Sequence, residues 1–280
     1  MNYLRYGSIL TILIVCLLFA AGCTSTTPSA ATTNSTATVT AASATGQSLL
    51  VYGGAGLKSA LNEIGEVYTE KSGITIQYNY GGAGTLVTQM NLTKKGDVFM
   101  PGSTVEFKNA KSQGLVNDSK LVAYHVPVIV VQKGNPKNIT SLEDFAEPDL
   151  KVALGDTNAT AIGKAATKMF NALNISAAVE KNVVSRTPTI NELVTIMKTG
   201  QADAAILTLD AYDPKTMDMI EIPLNENVVL ITPIGATTFT TNATAANDYV
   251  NFVASDEGKA IFEKHGFPTY PNATYANVTP

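Results

Sequence analysis

Beyond residue 46 the chain alternates two kinds of pattern. Short apolar or every-other-residue runs predict strands at 48–52, 74–80, 97–100, 151–154, 182–185, 202–207 and 228–234. Between them, apolar residues fall three and four apart. Leu57, Leu61, Ile64, Val67 and Tyr68 share one face of a predicted helix over 57–70. The same spacing predicts helices at 85–92, 104–113, 162–173, 190–198, 243–254 and 257–265. Residues 122–132 form a long apolar run interrupted by Pro127, and Ser141 reads as the N-cap of a short helix. Strand–helix alternation of this kind predicts an α/β protein of mostly parallel sheets flanked by helices. The series breaks near residue 123 and restarts, so the expectation is two lobes. Residues 47–124 with 232–280 make the first and 125–231 the second, joined by a two-strand hinge near Tyr124–Pro127 and Ile231–Pro233.

The first residues follow a different pattern. Arg5 precedes a 13-residue apolar stretch, Ile9–Ala21. At 1.5 Å per residue this reaches roughly 20 Å, short of a ~30 Å hydrocarbon core. It reads as a signal peptide over 1–22, with an uncleaved anchor as the alternative. Ala20-Ala21-Gly22-Cys23 resembles a lipoprotein cleavage box, which makes Cys23 the lipidated residue. Either way the body is expected outside the cytoplasm, held at the outer face of the membrane. Thirteen of residues 24–46 are Ser or Thr and none is charged, the composition of a flexible tether reaching about 25–30 Å.

Charge and composition then exclude several classes. The net charge is −4, without a basic block, which argues against a nucleic-acid partner. The only cysteines are Cys16 and Cys23, so neither a disulfide framework nor a cysteine metal site is expected. His125 and His265 fit no catalytic or metal-binding spacing, so the expectation is no enzyme, no metal and no cofactor. His125, beside Pro127, reads as a hinge residue. Nine Asn-x-Ser/Thr sequons start at Asn34, Asn91, Asn117, Asn138, Asn158, Asn174, Asn242, Asn272 and Asn277. They reflect either a glycosylated surface or simply an Asn/Thr-rich composition.

The candidate chemistry lies in glycine-rich turns. Tyr52-Gly53-Gly54-Ala55-Gly56 recurs as Tyr80-Gly81-Gly82-Ala83-Gly84, each copy after a strand and before a helix. Glycine lets backbone approach a ligand, and the helix start beyond it offers free N–H groups and partial positive charge. Two such turns side by side are either an anion cradle, which their duplication at equivalent places favours, or a pair of tight strand-to-helix turns with no ligand. In the second half, residues 155–163 and Arg186-Thr187-Pro188-Thr189 link strands to helices in the same way. Arg186, the only arginine after Arg5, suits either an oxyanion fork or a structural salt bridge. Thr208 and Asp210 follow a strand, Asp210 reading as a helix cap.

Several ordered motifs carry a family resemblance: VYGGAGL at 51–57, YNYGGAGTL at 78–86, GDVFMP at 96–101, ALGD at 153–156, ADAAI at 202–206 and EKHGF at 263–267. From Leu50 to about Ile261 the chain resembles the substrate-binding lipoproteins of molybdate/tungstate ABC importers. That resemblance implies a type II periplasmic-binding fold closing on a tetrahedral oxyanion, a monomer, and delivery to a membrane permease. It also implies ligand donors at Ala55, Gly56, Ala83, Gly84, Ile162 and Thr189. The family's usual serines fall on Gly56 and Ala83, and its tyrosine on Leu207; Thr85, Ser103, Thr157 and Thr208 are the hydroxyls available to replace them. Sulfate or phosphate binding, and a surface sensor or adhesion module on the same fold, remain as alternatives.

Overall fold

The computed structural model describes residues 46–280. The expected signal peptide, Cys23, Asn34 and all of the tether but Gly46 lie outside the described residues. Among the described residues no helix is long and apolar enough to cross a membrane.

The first sheet begins with β1 (Ser48–Gly54), β2 (Thr75–Gly81), β3 (Val98–Met100) and β4 (Lys120–His125). Helices α1 (Lys58–Ser72), α2 (Ala83–Thr93) and α3 (Thr104–Ser112) connect them in turn. The chain then crosses at Val126 into the second sheet. That sheet contains β5 (Pro127–Gln132), β6 (Val152–Gly155), β7 (Val183–Thr187), β8 (Ala204–Thr208) and β9 (Met217–Glu221). Its helices are α4 (Ala161–Ala172), α5 (Ser176–Asn182) and α6 (Ile190–Lys198). The chain returns through β10 (Leu230–Ala236), and α7 (Ala243–Val253) and α8 (Asp256–Lys264) cover the first sheet.

The strand orders are β2-β1-β3-β10-β4 and β7-β6-β8-β5-β9. In each sheet one strand runs against the other four, β10 in the first and β5 in the second. The fold is thus α/β with two lobes, as expected. His125 and Leu230–Ile231, placed in the second lobe by the sequence pattern, pair with each other's strands in the first sheet.

Alternation along β1 explains the first lobe's core. Leu49 and Val51 face a cluster with Leu61, Tyr249 and Phe262, whereas Tyr52 faces another with Leu86, Met90 and Phe99. The second lobe packs Val128–Val131, Phe145, Phe170, Leu193 and Ile206 around its sheet. Truncating a buried phenylalanine such as Phe262 or Phe170 costs about 3–5 kcal/mol.

One local expectation needs correction, and two elements go unread in the sequence pattern. Ser141 is not an N-cap; the short 3-10 turn Glu143–Ala146 begins at Leu142, and Asp144 folds back to accept from the N–H groups of Thr140 (2.6 Å) and Ser141 (3.0 Å). Helix α5 and strand β9 were not foreseen. The first is two turns long and the second is a five-residue, half-buried edge strand, so neither shows a full period of its pattern.

Candidate functional site

Four strand-to-helix turns meet between the lobes. Two follow β1 and β2; two follow β6 and β7. At the first, a 3-10 turn Ala55–Leu57 leads into α1, and Gly54 offers no side-chain cap. Gly82, likewise without a side chain, precedes α2. In the second lobe, Thr160 caps α4 by accepting from Gly163 N–H at 3.0 Å. Thr189 caps α6 by accepting from Glu192 N–H at 3.3 Å.

These turns enclose a cavity of about 50 Å³. It is lined by Gly54–Gly56, Gly81–Ala83, Gly102, His125, Thr160–Ile162, Thr189 and Ile190. A single water needs about 10–15 Å³ on this measure, so the space suits a ligand of a few heavy atoms. The start of a helix leaves its first N–H groups without intrahelical partners. With Thr160 spent on Gly163, the N–H groups of Ala161 and Ile162 are left to the cavity they line. Among the described residues no carboxylate lines the cavity, and His125 is the one ionisable side chain in its lining. Helix starts gathered at one cleft favour an anion.

The lobes are closed on each other. Gly84 N–H donates to Ala159 O at 3.3 Å, and Asn191 Nδ2 donates to Ala55 O at 2.9 Å. Lys164 Nζ reaches the buried carboxylate of Glu106 at 2.8 Å. The glycines permit this approach. A Cβ on Gly82 would lie 2.5 Å from Pro188 O, and one on Gly84 would lie 2.2 Å from Asn158 O.

Of the expected donors, Ala55, Gly56, Ala83, Ile162 and Thr189 line the cavity. Four do not. Gly84 uses its N–H to bridge the lobes. Thr85 is exposed, because α2 starts two residues before the sequence pattern suggested. Arg186 points away and pairs with Glu180 across exposed surface. Thr208 is fully buried, its hydroxyl without a partner among the described residues, but is not part of the lining. Of the substitute hydroxyls, Ser103 is committed to capping α3 and to Glu106.

Sequence reasoning missed the pair beneath the cavity. His125, at the end of β4, is 6% exposed. Its Nε2 lies 3.4 Å from Asp210 Oδ1, whose side chain is 3% exposed. Asp210 is therefore no helix cap; it sits in the 3-10 turn Leu209–Ala211, turned toward the ring. Burial alone would push the imidazole down. The Asp210 carboxylate and the Gly102 backbone outweigh it and hold the ring above its ordinary value. The two residues are 85 positions apart, and only the crossing of the chain between sheets brings them together.

Residues 49–268 match the family model described as bacterial extracellular solute-binding protein. The chain belongs to this family. A Haemophilus influenzae protein described as a binding protein is 31% identical to the solute-binding chain over 159 residues, 57% of this chain and 65% of that relative. The match thus spans slightly less than two thirds of that relative's length. The molybdate-binding protein ModA of Mycobacterium tuberculosis is 28% identical over 225 residues, covering 79% of this chain and 84% of its own. Among solved structures, the sulfate-binding protein SubI from Mycobacterium tuberculosis is similar in fold, with a TM-score of 0.72 at 17% identity, covering 84% of this chain and 92% of that one. The two-lobe architecture, the cleft and the family agree.

Proposed function

We propose that this solute-binding protein captures a tetrahedral oxyanion, molybdate or tungstate foremost, and delivers it to the permease of an ABC importer. It does so as a monomer held at the outer face of the membrane through lipid on Cys23. The observation that carries this reading is the cavity of about 50 Å³ ringed by helix starts and free of carboxylates. Fixed backbone dipoles replace the water an oxyanion loses on entering the cleft. A five-atom anion matches the cavity in scale. The ModA relative supports molybdate. Sulfate is the second reading, favoured by the SubI fold. Arg186 gives neither anion an advantage, since it faces away from the cleft.

The test is thermal unfolding of the purified protein with molybdate, tungstate, sulfate or phosphate at matched ionic strength. A ligand at 100 times its Kd adds about 2.7 kcal/mol, or roughly 5–10 °C for a chain of this size. A shift with molybdate and tungstate alone is the expected outcome. A shift with sulfate alone replaces the substrate, and no shift with any of the four refutes oxyanion capture.

A further inference from the structure

We propose that His125 is the charged donor of the oxyanion site, with Asp210 as the residue that positions it. The inference rests on the proposed oxyanion reading and goes beyond it by assigning the ligand's principal charged contact to a side chain rather than to backbone.

Three observations converge. First, His125 lines the cavity while its own surface is almost wholly buried. Second, its Nε2 has no hydrogen-bond partner among the described residues. The Asp210 carboxylate is close enough, at 3.4 Å, to act by charge, yet not aligned to take the N–H. A buried donor left in this way is destabilising unless something else accepts from it. Third, Gly56 faces the ring with backbone alone. A Cβ there would lie 3.4 Å from Cε1 and 3.5 Å from Nε2, and 2.9 Å from Ile190 Cγ2, so the glycine leaves room beside the ring that a side chain would fill.

The surroundings favour the protonated ring over the neutral one. From the turn after β8 comes Asp210, the charged group acting on it. Phe267 packs against the ring at 5.2 Å between centroids and is neutral. Gly56 and Gly102 contribute backbone only, and the helix starts around the cavity bring partial positive charge that opposes protonation. The balance favours the proton, since the ring is held above its ordinary value. A protonated ring gives the anion a charge-assisted bond. Capture therefore weakens as pH rises through the titration of the ring.

The experiment is calorimetric binding of molybdate and sulfate to the full chain between about pH 6.5 and about pH 9. It is done for wild type, His125→Gln and Asp210→Asn. NMR of the imidazole accompanies it; with only two histidines in the chain, His265→Gln assigns the signals. For wild type, affinity should fall by up to tenfold per pH unit above the midpoint of the ring, and bound anion should raise that midpoint. His125→Gln should bind about ten- to a hundredfold more weakly at the acid end and show no pH dependence. Asp210→Asn should lower the midpoint of the ring and regain affinity at the acid end, which a merely structural role would not produce. Wild-type affinity that is flat across the range, with an unmoved ring midpoint, overturns the role of His125 while leaving oxyanion capture standing. Wild type binding neither anion overturns both, and the NMR arm, independent of any variant's folding, tells the two outcomes apart.

Discussion

The two rims of the cleft reach the same geometry by opposite means. On the first lobe, Gly54 and Gly82 stand at the helix starts and make no side-chain cap. On the second, Thr160 and Thr189 both cap, and Asp156 Oδ1 accepts from Asn158 N–H (2.7 Å) and Ala159 N–H (2.9 Å). One rim is stripped to backbone; the other is braced by its own side chains. The carbonyls of Asn158, Ala159 and Pro188, held out by the braced rim, meet the bare one where a Cβ would collide. Glycine at an N-cap gives up only a few tenths of a kcal/mol against Ser or Thr, so the bare rim sacrifices little stability for close contact. The division of labour is between a surface shaped to be approached and a surface stiff enough to approach it.

The sharpest way to break this division is Gly84→Ala. The added Cβ would lie 2.2 Å from Asn158 O in the closed protein and meets nothing comparable once the lobes part. Closure should fail. Affinity for the anion should fall at least about a hundredfold by calorimetry, the equivalent of about 2.7 kcal/mol. The unfolding temperature of the anion-free protein should hardly move, because alanine is favoured over glycine within a helix. Retained affinity would mean that the glycines serve only the turn.

The braced rim predicts the reverse balance. Thr160→Val removes a buried cap on α4 and should lower stability by about 1 kcal/mol in urea unfolding, even without ligand. Binding should weaken less than in Gly84→Ala, since no atom enters the closing path. If Thr160→Val instead left stability unchanged and abolished binding, its hydroxyl would be a ligand contact rather than a brace.

Much of this contrast is legible in the sequence, and its limit is instructive. Periodicity alone places most strands and helices, since each is long enough to show its own repeat. The duplicated Gly-Gly-Ala-Gly turn marks the bare rim, and Ala55, Gly56 and Ala83 do line the cavity. What the turns touch is not legible. The carbonyls that meet Gly82 and Gly84 come from residues 158, 159 and 188, after the chain has crossed to the other sheet. Thr85 faces solvent because α2 starts two residues earlier than the sequence pattern indicates, and two residues of helix turn a side chain from the cleft to the opposite face. Asp210 looked like a cap because Asp beside a turn usually is one; its true partner, His125, belongs to the other sheet.

A smaller test separates bracing as such from bracing of the cleft. Asp144, in the second lobe but outside the cavity lining, also binds local backbone, accepting from Thr140 and Ser141 N–H and from Thr140 Oγ1 at 3.0 Å. Those backbone hydrogen bonds, led by the one from Thr140, hold its carboxyl below the usual carboxylate range against the opposing effect of burial. A carboxyl depressed in the folded state stabilises the protein above its unfolded value and loses that contribution as pH falls through its folded one. Asp144→Asn keeps an acceptor and loses the charge, so at pH 7 it should cost well under about 1 kcal/mol. The difference from wild type should shrink as pH falls through the folded-state titration of the carboxyl, which lies below its ordinary value. Anion affinity should be unchanged at neutral pH, because no atom of this turn reaches the cleft. A loss of affinity in Asp144→Asn would show that stiffness anywhere in the second lobe is felt at its rim, and that the contrast between the two rims belongs to whole lobes rather than to four turns.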